Sequence, residues 1–128
     1  MTLNETEMSA FLESALITAL EGGSNYWYLL TKESEEKLWA IQKTADTALC
    51  PAECFVRGIL NGELFDILDV ETDENLGVID LASCHKAIEL MCADGHTQRV
   101  TNIVNEQFDC WDADVFFQFA VMGELVYG

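Results

Sequence analysis

Glu63-Leu64-Phe65-Asp66-Ile67-Leu68-Asp69-Val70-Glu71, followed by Thr72-Asp73-Glu74-Asn75 and Leu76-Gly77-Val78-Ile79, decides the fold class. Phe65, Ile67 and, less cleanly, Val70 alternate with acids, the pattern of a strand with one buried face. The polar tetrad after Glu71 has loop composition, and Leu76 to Ile79 reads as the return strand of a hairpin over residues 63–79. A lone two-stranded hairpin is marginal in water. It needs a helix against it or a third strand, which Tyr26–Leu30 or Leu125–Tyr127 would supply.

Helical patterns surround the hairpin. Phe11, Leu12, Ala15, Leu16, Ala19 and Leu20 form one apolar stripe over residues 5–21, with Glu5 and Glu7 in the first turn, where carboxylates suit the helix dipole. Gly22 and Gly23 are expected to stop it in left-handed geometry. Residues 34–46 read as a helix capped by Ser34, with Leu38, Trp39, Ile41 and Ala45 on its apolar side. Pro51 suits the first position of another helix, in which Cys54, Phe55, Gly58 and Ile59 share a face and after which Asn61-Gly62 breaks the pattern. Asp80 is an N-cap for Leu81–Ala93, with Leu81, Cys84, Ile88 and Met91 inward and Gly95 closing. Thr97 opens a helix lined by Val100, Ile103, Val104 and Phe108. Asp112 is expected to cap the last helix, with Trp111 and Phe116 as a hydrophobic staple, Val115, Phe116, Phe119 and Ala120 as its buried side and Gly123 at its end. The whole reads as a mostly helical α+β chain, one domain over residues 1–128, with one small antiparallel sheet.

Composition bounds the function. The chain has 23 Asp and Glu against six Lys and Arg, a formal net charge of −17. Such a field repels phosphates, so direct binding to nucleic acid or to anionic membranes is not expected, and basic protein surfaces are favoured. Half of the residues are hydrophobic, including seven Phe, three Trp and three Tyr. That is enough for a real core and argues against disorder. Tyr26, Trp27, Tyr28 and Trp39 are candidates for an exposed aromatic patch, which on a small domain marks an interface. Five loosely spaced cysteines, Cys50, Cys54, Cys84, Cys92 and Cys110, suggest reduced thiols. Met1-Thr2-Leu3-Asn4-Glu5 lacks the basic start and apolar run of a signal peptide.

Chemical motifs are weak. Asp69, Glu71, Asp73, Asn75 and Asp80 match part of a calcium-loop spacing, but Glu74 stands where the sharp turn needs glycine. Cys50, Cys54, Cys84, His85 and His96 lack the paired knuckles of structural zinc sites. Cys84 and His85 are adjacent on a helix and do not face each other, and an acidic chain is a poor setting for a thiolate. No enzyme, cofactor or metal site is therefore expected. The acids fall in three groups. Glu33, Glu35 and Glu36 form one; Asp66, Asp69, Glu71, Asp73 and Glu74 crowd the hairpin; Glu106, Asp109, Asp112 and Asp114 crowd the start of the last helix. The partner-binding candidates are Asp66, Asp69, Glu71, Asp73, Glu74, Glu106, Asp109 and Asp114, with Tyr26 and Trp27 as the aromatic alternative.

Ala19-Leu20-Glu21-Gly22-Gly23-Ser24-Asn25-Tyr26-Trp27-Tyr28, together with Asp112-Ala113-Asp114-Val115-Phe116-Phe117-Gln118 through Gly123-Glu124-Leu125-Val126-Tyr127-Gly128, resembles small acidic hypothetical proteins of phages and prophages. That resemblance implies a phage or bacterial origin; with the reduced thiols suggested by the cysteine spacing, the expected location is the cytoplasm of a bacterial host. The resemblance carries no activity or site residues. Small phage proteins of this kind often block host machinery, including restriction and CRISPR systems, an analogy of type rather than of site. The leading expectation is a non-enzymatic inhibitor or modulator that occupies the basic channel of a host nucleic-acid-binding protein as a nucleic-acid mimic. The alternative is an assembly module that self-associates, as a homodimer, through the aromatic patch.

Overall fold

Ten segments alternate around one apolar helix near the C-terminus in the computed structural model, which describes residues 2–128. Met1, part of the opening stretch read above, lies outside them. The helices are α1 (Glu5–Thr18), α2 (Lys32–Thr44), α3 (Pro51–Leu60), α4 (Leu81–Ala93), α5 (Thr97–Val104) and α6 (Cys110–Met122). The strands are β1 (Tyr28–Leu30), β2 (Phe65–Asp69) and β3 (Asn75–Ile79), and a short π-turn over Ala19–Gly23 follows α1. The fold is α+β, with one three-stranded antiparallel sheet in the order β1-β2-β3.

The alternating stretch forms the hairpin as its pattern requires. Phe65, Ile67 and Ile79 are fully buried, whereas Val70 and Val78 face outward. Tyr28–Leu30 supplies the third strand, with Leu30 opposite Ile67 and Tyr28 opposite Asp69. Residues 125–127 are not a strand. β3 carries one extra residue, Leu76, between Gly77 (paired with Ile67) and Asn75 (paired with Leu68), a bulge that bends the edge. Gly77 sits there at φ 153°, and a Cβ at this position would lie 2.3 Å from the Val121 carbonyl oxygen. Only glycine lets α6 approach the bulged strand so closely.

α6 is apolar nearly all round and is buried from Asp112 to Val121. A helix with no polar face belongs in the centre, and α1, α4, α5 and β3 all pack against it. Phe116 meets Phe11 of α1 edge-on, with ring centroids 4.9 Å apart. Phe55 of α3 stacks on Phe65 of β2 at 4.5 Å. Among the described residues, no helix is long and apolar enough to cross a membrane.

Helix starts follow hydrogen-bond chemistry, with two of the expected N-caps corrected. Asp80 caps α4 and Pro51 opens α3, as read from the sequence. α1 begins with a capping box of Asn4 and Glu7. α2 starts two residues earlier than expected and is capped by Thr31; Ser34 sits inside its first turn, buried, where its hydroxyl accepts the Asp66 N–H. Asp109, not Asp112, caps α6. Asp112 occupies the third helical position of the same capping box and accepts from Arg99 Nη1 at 2.7 Å. The expected staple does not form, since Phe116 packs on Phe11 while Trp111 lies under the Arg99 guanidinium. Gly22 is extended at φ 167° rather than left-handed. The reason for Gly23 is close approach, as a Cβ there would meet the Cys110 carbonyl at 2.9 Å. Val104, expected inward, faces solvent, as does Trp39, which the sequence places both on the apolar side of its helix and in the candidate exposed patch.

Loss of the Asp109 cap in Asp109→Ala is expected to cost about 1 kcal/mol, as N-cap removals do. Asp112→Ala is expected to cost more, because it also leaves Arg99 without its partner. Urea denaturation of both variants checks the order; a larger cost at Asp109 contradicts it.

Candidate interaction surface

The candidate residues divide by burial. Glu71, Asp73, Glu74, Glu106 and Asp109 are exposed, Asp66 and Asp69 are half-buried, and Asp114 is fully buried. Asp114 is therefore removed from the interaction surface. So is Trp27, which is 1% exposed. The expected aromatic patch does not exist as a patch. Trp27 stacks on Tyr127 at 5.4 Å and packs against Tyr28 and Phe117. Tyr26 is 49% exposed, but its hydroxyl is held inside.

That hydroxyl is one of four donors converging on the Asp114 carboxylate. Ser24 Oγ donates to Oδ1 at 2.6 Å and Trp27 Nε1 to the same oxygen at 2.7 Å. Tyr26 Oη and Gln118 Nε2 donate to Oδ2. Asp114 and Gln118 are one turn apart on α6, so they share a face. Burial and the adjacent carboxylate push the Tyr26 phenol far above its ordinary pKa. Gln118 extends the network, because its Oε1 accepts from the N–H groups of Val126 and Tyr127, both at 2.8 Å. A segment near residue 25, the central helix and the chain's last residues are thereby tied together.

Tyr127 carries the tie on to the hairpin. Its hydroxyl donates to Asp69 Oδ2 at 2.7 Å, while Asp69 Oδ1 accepts the N–H groups of Glu71 and Thr72 at 2.8 and 3.0 Å. Asp69, read as a partner-binding residue and as the first position of a calcium loop, thus builds the turn from within. These hydrogen bonds, with that from Tyr127 foremost, hold the Asp69 carboxyl below the usual range. The same bond, with some burial, pushes the Tyr127 phenol up to about 12. Val70 N–H donates to the Trp27 carbonyl, closing the link between sheet edge and network. Glu71, Asp73 and Glu74 then project from a fixed turn, and among the described residues none of them has a cation within ion-pair distance.

Elsewhere the acids stand apart. Among the described residues, no three of His, Cys, Asp and Glu gather closely enough to hold a metal ion. Cys54 and Cys84 lie in the core, as their helical faces implied, and burial raises both thiols. His85 is exposed, whereas His96 is edge-on to Phe119. Sequence reasoning missed Ser24, Gln118 and Tyr127. The available signal was Asp114 and Gln118, four apart inside an otherwise apolar run. Polar groups on a helix with no solvent face must find partners within the fold. No family model, curated protein or solved structure matches the chain.

The Asp69–Tyr127 bond has a predictable pH window. A lowered carboxyl stabilises the fold above its unfolded pKa and loses that effect as pH falls; a raised phenol stabilises below its unfolded pKa and loses the effect as pH rises. The stability difference between wild type and Tyr127→Phe is expected to be flat between about pH 5 and 9 and to shrink below about pH 4 and above about pH 10. Urea midpoints across pH check it, and a difference constant down to about pH 3 contradicts it.

Proposed function

We propose that the chain is a non-enzymatic acidic binding protein that occupies a basic protein surface, of the kind that holds nucleic acid in a host enzyme. The observation that carries this reading is the hairpin turn. Its three exposed carboxylates are held on a turn fixed from within by Asp69 and, among the described residues, have no cation within ion-pair distance. Pre-organised charge of one sign attracts an opposite surface at little ordering cost. The rest of the surface reinforces it. Apart from half-buried Asp66, Asp69 and Asp80 and buried Asp112 and Asp114, every Asp and Glu is exposed. A phage or prophage origin and an anti-defence role extend this reading. Self-association through Tyr26 and Trp27 loses its main support because Trp27 is in the core.

Charge reversal at Glu71, Asp73 and Glu74 together is expected to weaken binding to a basic nucleic-acid-binding protein and to flatten its salt dependence. The fold should be retained, because none of the three side chains is buried. Titration at two salt concentrations checks this; affinity that is salt-insensitive and unchanged by the reversal contradicts the reading.

A further inference from the structure

Among the described residues, the aromatic side chain left most in water is a tryptophan of α2. Trp39 is 68% exposed, whereas its neighbour Leu38 is buried. It stands over a groove of about 400 Å³ between α2 and α3, walled by Leu30, Leu38, Trp39, Leu49, Pro51 and Cys54. That volume is in the range of ligand and side-chain pockets. The groove is built rather than incidental. Gln42, which also lines it, accepts the Leu49 N–H at 2.8 Å and the Cys54 thiol at 3.8 Å, which pins the 45–50 connection against α2. Its upper end reaches Leu30 on β1, an edge strand of the sheet, while the opposite edge at β3 is covered by α6.

The charge around it is negative. Glu35 lines the groove, and exposed Glu36 is the next residue of α2. At the far end Glu21 reaches the Cys50 thiol at 3.7 Å, and Glu53 accepts the Cys50 N–H at 3.0 Å, next to Pro51. Lys43, one turn beyond Trp39, and Lys32, two turns before it, are the cations on the same helical face, fewer than these four carboxylates. A second copy of this chain is the wrong occupant, because it would bring a further net −17 to the contact.

We propose that this groove is the anchor site for the basic partner, receiving an aromatic or long aliphatic side chain that is flanked by Lys or Arg. The inference rests on the reading that the chain binds basic proteins, and adds where it grips and what it requires. The acids give attraction and rate, and the groove gives residence, as a central apolar anchor does within a charged rim.

The test uses a labelled amphipathic Lys/Leu peptide with one Phe, the same peptide with Ser for Phe, and poly-lysine of equal charge. Binding is read by fluorescence anisotropy at about 0.15 M salt. The Phe peptide is expected to bind best, with Trp39→Ser weakening it at least about tenfold and Glu35→Lys several-fold. Trp39→Ser should melt like wild type, since the side chain is mostly in water. Unchanged affinity in Trp39→Ser, or poly-lysine binding as well as the Phe peptide, overturns the groove proposal. If the Glu71, Asp73 and Glu74 reversal then still weakens poly-lysine, the acidic-surface reading survives alone. A wild-type dimer in sedimentation that Trp39→Ser abolishes makes the occupant a second copy and overturns the proposal too. Failure of every basic probe to bind overturns both.

Discussion

The buried carboxylate of Asp114 is the constraint on which the rest of the structure depends. An acidic group inside the most apolar helix of the chain loses its hydration, and that loss has to be met by hydrogen bonds. Four donors meet it, and three of them, Ser24, Tyr26 and Trp27, come from a segment about ninety residues away in sequence. Convergence on one carboxylate therefore decides where the 24–27 segment lies. It draws the Trp27 indole into the core and sets β1 beside β2. Through Gln118 and Tyr127 the same network fastens the last residues over Trp27 and onto the hairpin turn. No buried side-chain nitrogen or oxygen among the described residues lacks a partner, as a fully connected polar core requires.

This economy of acids shapes the surface. Asp112 is neutralised by Arg99 and Asp114 is enclosed by neutral donors, so the fold consumes little of its excess negative charge. The remaining carboxylates are dispersed and mostly face solvent. Mutual repulsion disfavours the compact state and is tolerable because the charges are spread over the whole surface. The same spread makes the protein a broad negative field rather than a chelating site. Exposed apolar character lies in scattered side chains and in shallow grooves, of which the one at Trp39 is an example.

Local chemistry was legible in the sequence, and long-range chemistry was not. The alternation at Phe65 and Ile67, the Asp80 cap and Pro51 at a helix start are signals contained within a few residues, and each appears where read. The start of α6 was misread by three residues because Asp109 and Asp112 are both competent caps; both take part, in reciprocal roles. Asp114 was misplaced for a different reason. Among 23 acids, one that is buried looks like the others until its helix is recognised as having no solvent face. Trp27 and Trp39 are both candidates for the exposed patch, and nothing within a few residues of either separates them. The distant Asp114 carboxylate and the Tyr127 ring hold Trp27 in the core, whereas Trp39 stays in water at the α2–α3 groove.

The most direct test of the account is a double-mutant cycle between Asp114→Asn and Tyr26→Phe, read by urea denaturation. The phenylalanine removes only a hydroxyl from a half-exposed ring, so a surface tyrosine would be silent. If the Asp114 carboxylate organises the fold, each single change destabilises, and the two couple by about 1 kcal/mol or more. Changes that add to within about 0.5 kcal/mol, with Tyr26→Phe near wild type, would contradict the central role given to this carboxylate.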